Sequence, residues 1–284
     1  MRVAGGVITC ALICALIGAV MGCKKPLHPA AQATNSNISR SLTPMVPAEG
    51  LLVQSVLIEQ PIADQFLDRD LWKVARPVGE PETRALLAEN GLRAGILSGT
   101  LPQRFQDLLD SEADTVSPNE MSFNSRKEAV IPTAGPIDPC RFALLADLAG
   151  TPRSIEFKQA RCGVLVRPRV EEGGRVLIYC EPQIQHGERH DRYRPNEDGT
   201  GFVKSEEMPL ERFSRVGFDA PLGPGDCLVI GWNAEQFETL GQALFAVEIN
   251  NRPRQRVLVI RAHQNGRSAL CDLPVIAGPY RPRR

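Results

Sequence analysis

The sequence lacks an excess of charge of either sign, and it has few aromatic residues. Its 284 residues include 33 Lys and Arg and 33 Asp and Glu, so the formal net charge is zero. A protein that binds nucleic acid through bulk electrostatics carries a positive excess, so no nucleic-acid partner is expected. Aromatic residues make up only 5% of the chain, although the hydrophobic content of 43% is ordinary for a globular protein.

Signatures of catalysis are also missing. The chain contains no Walker string, no G-x-S-x-G motif and no H-E-x-x-H motif, and its cysteines do not show the C-x-x-C spacing of zinc sites. Such motifs hold phosphate-binding backbone, a nucleophile or metal ligands at a fixed spacing. Their absence favours a non-enzymatic protein without a cofactor, and a hydrolase with a dispersed site stays open as a third hypothesis.

The first 23 residues are organised like a secretory signal. Arg2 precedes an uncharged apolar run that ends at the small residue Gly22. The string V-M-G-C, ending at Cys23, resembles the lipobox of bacterial lipoproteins, in which the cysteine becomes the acylated first residue of the mature protein. The resemblance implies a signal peptide at residues 1–22 and a membrane anchor of acyl chains on Cys23. An uncleaved signal anchor is the alternative, because about 20 apolar residues can span a bilayer.

Two segments outside the predicted domains are expected to have no core. Residues 23–50 contain Pro, Ala, Ser, Asn and Thr, and are predicted to be a flexible tether. Residues 265–284 end in R-P-R-R and are predicted to be a basic tail. No other apolar run near 18 residues follows the signal, so the mature chain is not expected to cross a membrane as a helix.

Five cysteines remain beyond the signal and the lipid site: Cys140, Cys162, Cys180, Cys227 and Cys271. An odd number leaves at least one of them unpaired. An exported protein meets an oxidising compartment, so one or two disulfides are conceivable. Burial of most of them as small hydrophobic residues is the favoured interpretation.

The pattern after the tether predicts an α+β fold with two domains. Residues 51–112 are predicted to form a small α+β domain, with strands at 51–58 and 92–97 and helices at 64–75, 81–89 and 102–109. Pro81 is placed to begin the second helix, and Asn90-Gly91 to end it. Residues 113–139 are predicted to be a linker with at most one short strand, and residues 140–264 a mostly antiparallel β domain.

The clearest predicted hairpin of the β domain joins residues 163–170 to residues 175–184. Pairing Glu171 with Arg175 gives this hairpin one apolar and one polar face. In that register Cys162 and Cys180 lie four rungs apart, which is too far for a disulfide. A second hairpin is predicted between residues 212–219 and 227–232, and a final strand at residues 256–262.

Residues 185–210 are predicted to form a long polar loop. His186 and His190 lie four residues apart, a spacing that puts two ligands on one face of a helix. Gly187 and the polar residues that follow favour a loop instead, so the two histidines are weak candidates for metal ligands. Binding of a metal or a small ligand by this loop is the second functional hypothesis.

Three segments of the β domain carry a family resemblance. Residues 163–170 and 176–182 (G-V-L-V-R-P-R-V and V-L-I-Y-C-E-P) are similar to a hairpin G-x-x-L-x-V-x-P-x-V … V-x-L-x-I-x-P. In that pattern the hairpin is followed by a strand, a glycine turn and the string x-V-I-G-G, and residues 218–231 are similar to these elements. The departure is at the second glycine of the string, where this chain has Trp232. Residues 256–260 are similar to a closing E-L-L-I-x-I strand. In this order the segments resemble the secretins, the outer-membrane ring proteins of secretion systems and type IV pili.

The resemblance implies a secretin-like β meander in a scaffold or accessory protein, because too few residues precede the hairpin for a secretin gate. Lys24, directly after the lipid cysteine, is compatible with sorting to the outer membrane. The leading hypothesis is therefore a non-enzymatic lipoprotein of the cell envelope, lipid-anchored through Cys23 and facing the periplasm. Its expected role is scaffolding or assembly, by self-assembly or with protein partners.

Overall fold

Most of the chain after residue 49 is described by a computed structural model. The described residues are 50–62, 64–123, 128–171, 174–196 and 198–264. None of the helices among them is long and apolar enough to cross a membrane. The predicted signal peptide, the lipid site at Cys23, nearly all of the predicted tether, Cys271 and the basic tail lie outside the described residues.

Strands dominate the described residues. In chain order they are β1 (Leu51–Pro61), β2 (Arg76–Pro77), β3 (Leu92–Leu97), β4 (Thr115–Phe123), β5 (Ala129–Ile137), β6 (Cys140–Leu144), β7 (Arg153–Phe157), β8 (Ala160–Val170), β9 (Val176–Gln185), β10 (His190–Pro195), β11 (Phe202–Glu207), β12 (Leu210–Arg212), β13 (Phe218–Leu222), β14 (Cys227–Trp232), β15 (Ala246–Ile249) and β16 (Arg252–Gln264). Every pairing between these strands is antiparallel, which confirms the predicted mostly antiparallel β composition.

The helices are few and short. They are α1 (Leu71–Val74), which continues a π-helical turn at Phe66–Asp70, then α2 (Pro81–Glu89), α3 (Gln103–Asp110) and α4 (Leu240–Phe245), with a 3-10 turn at Ser214–Val216. The predicted limits of α2 are confirmed. Pro81 is its first residue, and Gly91 follows it with a φ of +70°, a conformation that glycine adopts without strain.

The larger sheet has the strand order β2-β3-β14-β16-β1-β4, and β15 also pairs with β16. β1 and β16 pair along the whole length of β1, from Leu51 opposite Gln264 to Pro61 opposite Arg254. Side chains alternate between the two faces of a strand. Both faces of these two strands carry buried apolar side chains, so the sheet needs a packing layer on each side.

The smaller sheet has the order β12-β9-β8-β5, and β13 also pairs with β9. In the β8–β9 pair, Cys162 lies opposite Ile184 and Cys180 opposite Val166. The backbone N–H of Glu171 donates to the carbonyl oxygen of Arg175 at 2.8 Å. The predicted register of this hairpin is therefore confirmed.

Two apolar cores enclose the larger sheet. One face packs against the smaller sheet and α4, and the other packs against α1 and α3. β14 lies between these layers, and all six of its residues are buried. This position explains why the strand is apolar throughout and shows no alternation.

The structure departs from the predicted division into two domains. β1 and β3 come from residues 51–112, yet they pair with β16 and β14, which come from residues 140–264. The predicted linker at 113–139 contributes β4 to the larger sheet and β5 to the smaller one. Many of the paired strands are distant from each other in sequence. Local sequence patterns instead favour pairing between strands that are neighbours along the chain, so the predicted division is too local.

The second predicted hairpin is also wrong. β13 pairs with β9, while β14 pairs with β3 and β16. The tight turn between β13 and β14 is present, with the Gly223 N–H donating to the Asp226 carboxylate at 2.8 Å. The turn passes the chain from one sheet to the other, because the wholly apolar β14 requires neighbours on both edges and both faces.

Candidate interaction surface

A hairpin of β10 and β11 stands apart from the two large sheets. The two strands pair with each other, from His190 opposite Glu207 to Pro195 opposite Phe202, and with no further strand in the described part of the chain. All six residues of β10 are exposed, and so are four of the six in β11. We call β10, β11 and the turn between them the exposed hairpin. The predicted polar loop at 185–210 is therefore wrong for these residues, which are polar but paired.

One face of the exposed hairpin carries aromatic side chains. Tyr193 and Phe202 are 63% and 74% exposed. The register puts them on the same face as Pro195, because Pro195 lies directly opposite Phe202 and two residues after Tyr193. Burying an aromatic or aliphatic side chain of this size is worth about 2 kcal/mol, and neighbouring apolar side chains left in water commonly mark an interaction site.

The opposite face of the exposed hairpin is organised around Glu207. Nη1 of Arg192 lies 3.1 Å, and Nη2 of Arg194 lies 2.6 Å, from the carboxylate oxygens of Glu207. Partial desolvation by itself would raise the pKa of Glu207, but hydrogen bonds from Arg192 and Ser205 and the charge of Arg194 lower the pKa below its ordinary value of 4.5. Glu207 is therefore ionised at neutral pH, and its contacts favour the observed pairing of the two strands.

An open concavity of about 920 Å³ lies at the base of the exposed hairpin, beside the smaller sheet. Three acidic residues of the hairpin, Asp191, Glu206 and Glu207, contribute to its lining. Five arginines also line it: Arg161, Arg189, Arg192, Arg194 and Arg212. Guanidinium groups bind carboxylates and phosphates through paired hydrogen bonds. Four of the five arginines already contact a carboxylate of this chain, whereas Arg161 makes no ion pair within the described residues and is the one best placed to bind an added anion.

The two histidines proposed as weak metal ligands lie in different environments. His186 stacks on Phe157, with ring centroids 4.1 Å apart and planes inclined by 18°. His190 begins β10 and lies opposite Glu207. Within the described residues, no group of three or more His, Cys, Asp and Glu side chains is placed to hold a metal ion.

All four described cysteines are buried. The side chains of Cys140 and Cys162 are hydrogen-bonded to each other. Cys180 lies opposite Val166, and Cys227 accepts a hydrogen bond from Nε of Arg261 at 2.8 Å. Burial raises the pKa of Cys180, so its thiol stays protonated at neutral pH, as expected for a small buried hydrophobic residue.

Comparison with known proteins gives a likeness rather than a family. No protein-family model matches the chain, and no curated protein matches it. The solved structures to which it is similar include secretins. The InvG secretin domain β-barrel from the Salmonella SPI-1 injectisome is 10% identical with a TM-score of 0.20, and the match covers 78% of this chain and 64% of that chain. The type II secretin GspD from enteropathogenic Escherichia coli is 12% identical with a TM-score of 0.19, over 76% of this chain and 69% of that chain. The chain thus spans slightly less than two thirds of the length of the InvG chain.

Proposed function

We propose that this protein is a non-enzymatic scaffolding lipoprotein of the cell envelope, and an accessory or divergent relative of the secretins. In this proposal Cys23 carries the lipid, and further copies of the chain associate through the exposed hairpin. The observation that carries the proposal is the exposed hairpin itself. Its aromatic face lies in water, and neither of its edges is paired within the described residues.

The exposed hairpin has little to stabilise it within one copy of the chain. A two-stranded hairpin without a packed face is marginally stable in water. Its ion pairs are exposed, and exposed pairs contribute little to stability. Covering Tyr193 and Phe202 against another surface would supply the apolar burial that the hairpin lacks. This supports a role for the hairpin in assembly.

The charges of the two strands favour a second copy as the partner. β10 carries Arg192 and Arg194, whereas β11 ends in Glu206 and Glu207. Pairing β10 of one copy with β11 of the next would repeat the Arg-to-Glu contacts that each hairpin already makes internally. The unpaired backbone groups of both edges would be satisfied in the same step, and Tyr193 of one copy and Phe202 of the next would each gain neighbouring side chains on the shared face of the adjoining strand. Because the β10 edge and the β11 edge are different surfaces, each copy in such a contact still has one free edge for a further copy. The assembly is therefore expected to grow beyond a dimer into a ring or a filament.

The predicted lipid on Cys23 would hold these copies on one membrane surface. Confinement to a surface raises the effective concentration of each hairpin for its neighbours, so a weak edge contact suffices for assembly. The predicted tether would separate the folded part from the lipid. Lipid anchoring and assembly are separate elements of the proposal and are tested separately.

Assembly is tested by the native mass of the full-length protein extracted from membranes in mild detergent. The wild type is expected to form a species several times the monomer mass, and the double variant Tyr193→Ser/Phe202→Ser is expected to be monomeric. Phe237→Ser is the matched control, because Phe237 is a 64% exposed aromatic residue outside the hairpin. A monomeric wild type, or a double variant that keeps the wild-type mass, would contradict the proposal.

Anchoring is tested with Cys23→Ala. The variant is expected to lose acylation and to leave the membrane fraction, because a lipidated cysteine is the anchor in this proposal. Metabolic labelling with a radioactive or clickable fatty acid measures the acylation directly. Labelling that persists in Cys23→Ala would show that another residue carries the lipid.

The concavity at the base of the exposed hairpin supports a second function, the binding of a small anion. Its five arginines outnumber the three acidic residues that line it. Phosphate and citrate serve as probes: either is expected to raise the melting temperature of the wild type, and to have a smaller effect on Arg161→Gln, which alters β8 outside the hairpin. An equal shift in both proteins would exclude this site.

A further inference from the structure

Cys140 and Cys162 are brought together by the way the chain leaves β5. Ala134 of β5 lies directly opposite Cys162 of β8, and Ile137 lies opposite Ala160. The chain then turns, and Cys140 begins β6 three residues after the last residue of β5. Both side chains belong to the same apolar core, where Cys140 is 2% and Cys162 is 3% exposed, and they are hydrogen-bonded to each other.

The two other described cysteines are placed differently. Cys180 is a neighbour of Cys162 in the smaller sheet, but it pairs with Val166, four rungs along β8. Cys227 belongs to the core on the other side of the larger sheet and accepts a hydrogen bond from Arg261. The fold therefore selects one pair of thiols from the described cysteines.

We propose that Cys140 and Cys162 form a disulfide when the chain folds in an oxidising compartment. The bond would close the loop between residues 140 and 162 and tie the β6–β7 hairpin to the smaller sheet. Apart from a single bridge between Ala143 and Thr239, β6 and β7 pair only with each other in the described part of the chain, so this bond would add a covalent connection to their other contacts. The inference rests on the export included in the proposed function and does not depend on assembly.

The hydrogen bond within the pair assigns a different role to each thiol. The hydrogen bond from Cys162 lowers the pKa of Cys140, and the same bond together with burial raises the pKa of Cys162. Cys140 is therefore the thiol that ionises first, and the thiolate is the reactive form in disulfide exchange.

The oxidant is a disulfide, either a protein or a small molecule. The Cys140 thiolate attacks one sulfur of the oxidant, which breaks the oxidant disulfide and releases one of its halves as a thiolate. That thiolate takes the proton of Cys162, and the Cys162 sulfur then attacks the Cys140 sulfur and releases the other half. The two cysteines lose two electrons and two protons, and the oxidant becomes two thiols. Because both sulfurs are buried in the folded chain, the exchange belongs to a late stage of folding, when the two thiols already lie together but β8 is not yet covered.

The test begins with the full-length wild-type chain, refolded in oxidised glutathione, alkylated without reductant and digested. A cross-linked peptide that joins Cys140 to Cys162 is expected, with Cys180 and Cys227 recovered in alkylated form. The bond is expected to resist reduced glutathione in the folded protein and to yield to it in urea, because unfolding exposes the sulfurs. Alkylation of both Cys140 and Cys162 after oxidative refolding would overturn the proposal.

Thermal unfolding provides the second readout. A disulfide that closes a loop of about 20 residues is expected to raise the melting temperature of the oxidised wild type above that of the reduced wild type by about 6 to 12 °C. Cys140→Ala is expected to abolish this difference, and Cys180→Ala, the matched buried control, is expected to keep it. The comparison of the two wild-type forms needs no variant, so a variant that fails to fold does not prevent the test. A redox-dependent shift that persists in Cys140→Ala would contradict the assignment.

Discussion

Two parts of the molecule use the same arrangement of charges in opposite surroundings. In the larger sheet, Glu59 of β1 lies between Arg254 and Arg256 of β16, at 3.1 and 2.9 Å. In the exposed hairpin, Glu207 of β11 also contacts two arginines of β10, although the residue directly opposite it is His190. In each case the arginines are two residues apart, so they project from the same face of the strand next to the glutamate.

The surroundings decide what each cluster contributes. The side chain of Glu59 is 9% exposed, and Arg256 also donates to the carbonyl oxygen of Thr133 at 2.6 Å. The side chain of Glu207 is 30% exposed, and its arginine partners are more than 60% exposed. A buried charge that loses its partner is costly, whereas an exposed pair is screened by water and salt. The same three charges therefore secure the packed sheet in one place and only bias the pairing of a surface hairpin in the other.

Removing the buried glutamate charge should have the largest effect. Glu59→Gln keeps the size of the side chain but leaves Arg254 and Arg256 without their counter-charge. We expect the free energy of unfolding to fall by about 3 kcal/mol, measured by urea-induced unfolding. A fall in the free energy of unfolding of less than about 1 kcal/mol would show that water reaches the Glu59 cluster. The Glu59 and Glu207 clusters would then differ less in stability than in burial.

The matching change in the exposed hairpin should have a much smaller effect. Glu207→Gln is expected to leave the urea midpoint of the whole chain unchanged, because the hairpin adds no buried apolar face to the cores. Hydrogen exchange should nevertheless accelerate several-fold at the amides of β10 and β11, since local opening involves only these strands. A clear shift of the global midpoint would show that the hairpin folds together with the sheets.

The same contrast explains which elements the sequence predicts. β8 and β9 are neighbours along the chain, and their apolar residues alternate, so pairing Glu171 with Arg175 sets the correct register. β14 is apolar at every position and pairs with strands that are distant in sequence, so no local pattern identifies its neighbours. The two-domain division departs from the structure for this reason.

The exposed hairpin and the cysteine pair escaped prediction for different reasons. β10 and β11 show no apolar alternation, because neither face is buried, and the only signal in the sequence is the complementary charge of Arg192 and Arg194 with Glu207. The contact between Cys140 and Cys162 depends on the turn after β5, in a segment predicted to be a linker. Recognition of β5 as a strand next to β8 would have placed the two cysteines near each other. The lipid site at Cys23 lies outside the described residues and stays a prediction.

Lowering the pH should weaken the exposed hairpin while leaving the buried β8–β9 pair intact. This is the smallest of the expected effects. The pKa of Glu207 is lowered in the folded hairpin, so its contribution to hairpin stability is present above the ordinary value of 4.5 and is lost as the pH falls through the lower, folded value. Asp198, in the turn, has its pKa lowered from 3.8 by hydrogen bonds from Thr200, so its contribution is lost as the pH falls through its own lower, folded value. Cross-strand NMR contacts between β10 and β11 should therefore weaken below pH 4.5, while those between β8 and β9 persist. In Glu207→Gln the contacts should already be weaker at neutral pH, and the part of the acid loss that comes from protonation of Glu207 should be absent. Equal loss in both hairpins would mean that acid unfolds the whole chain, and the contrast between exposed and buried charge would then not explain the transition.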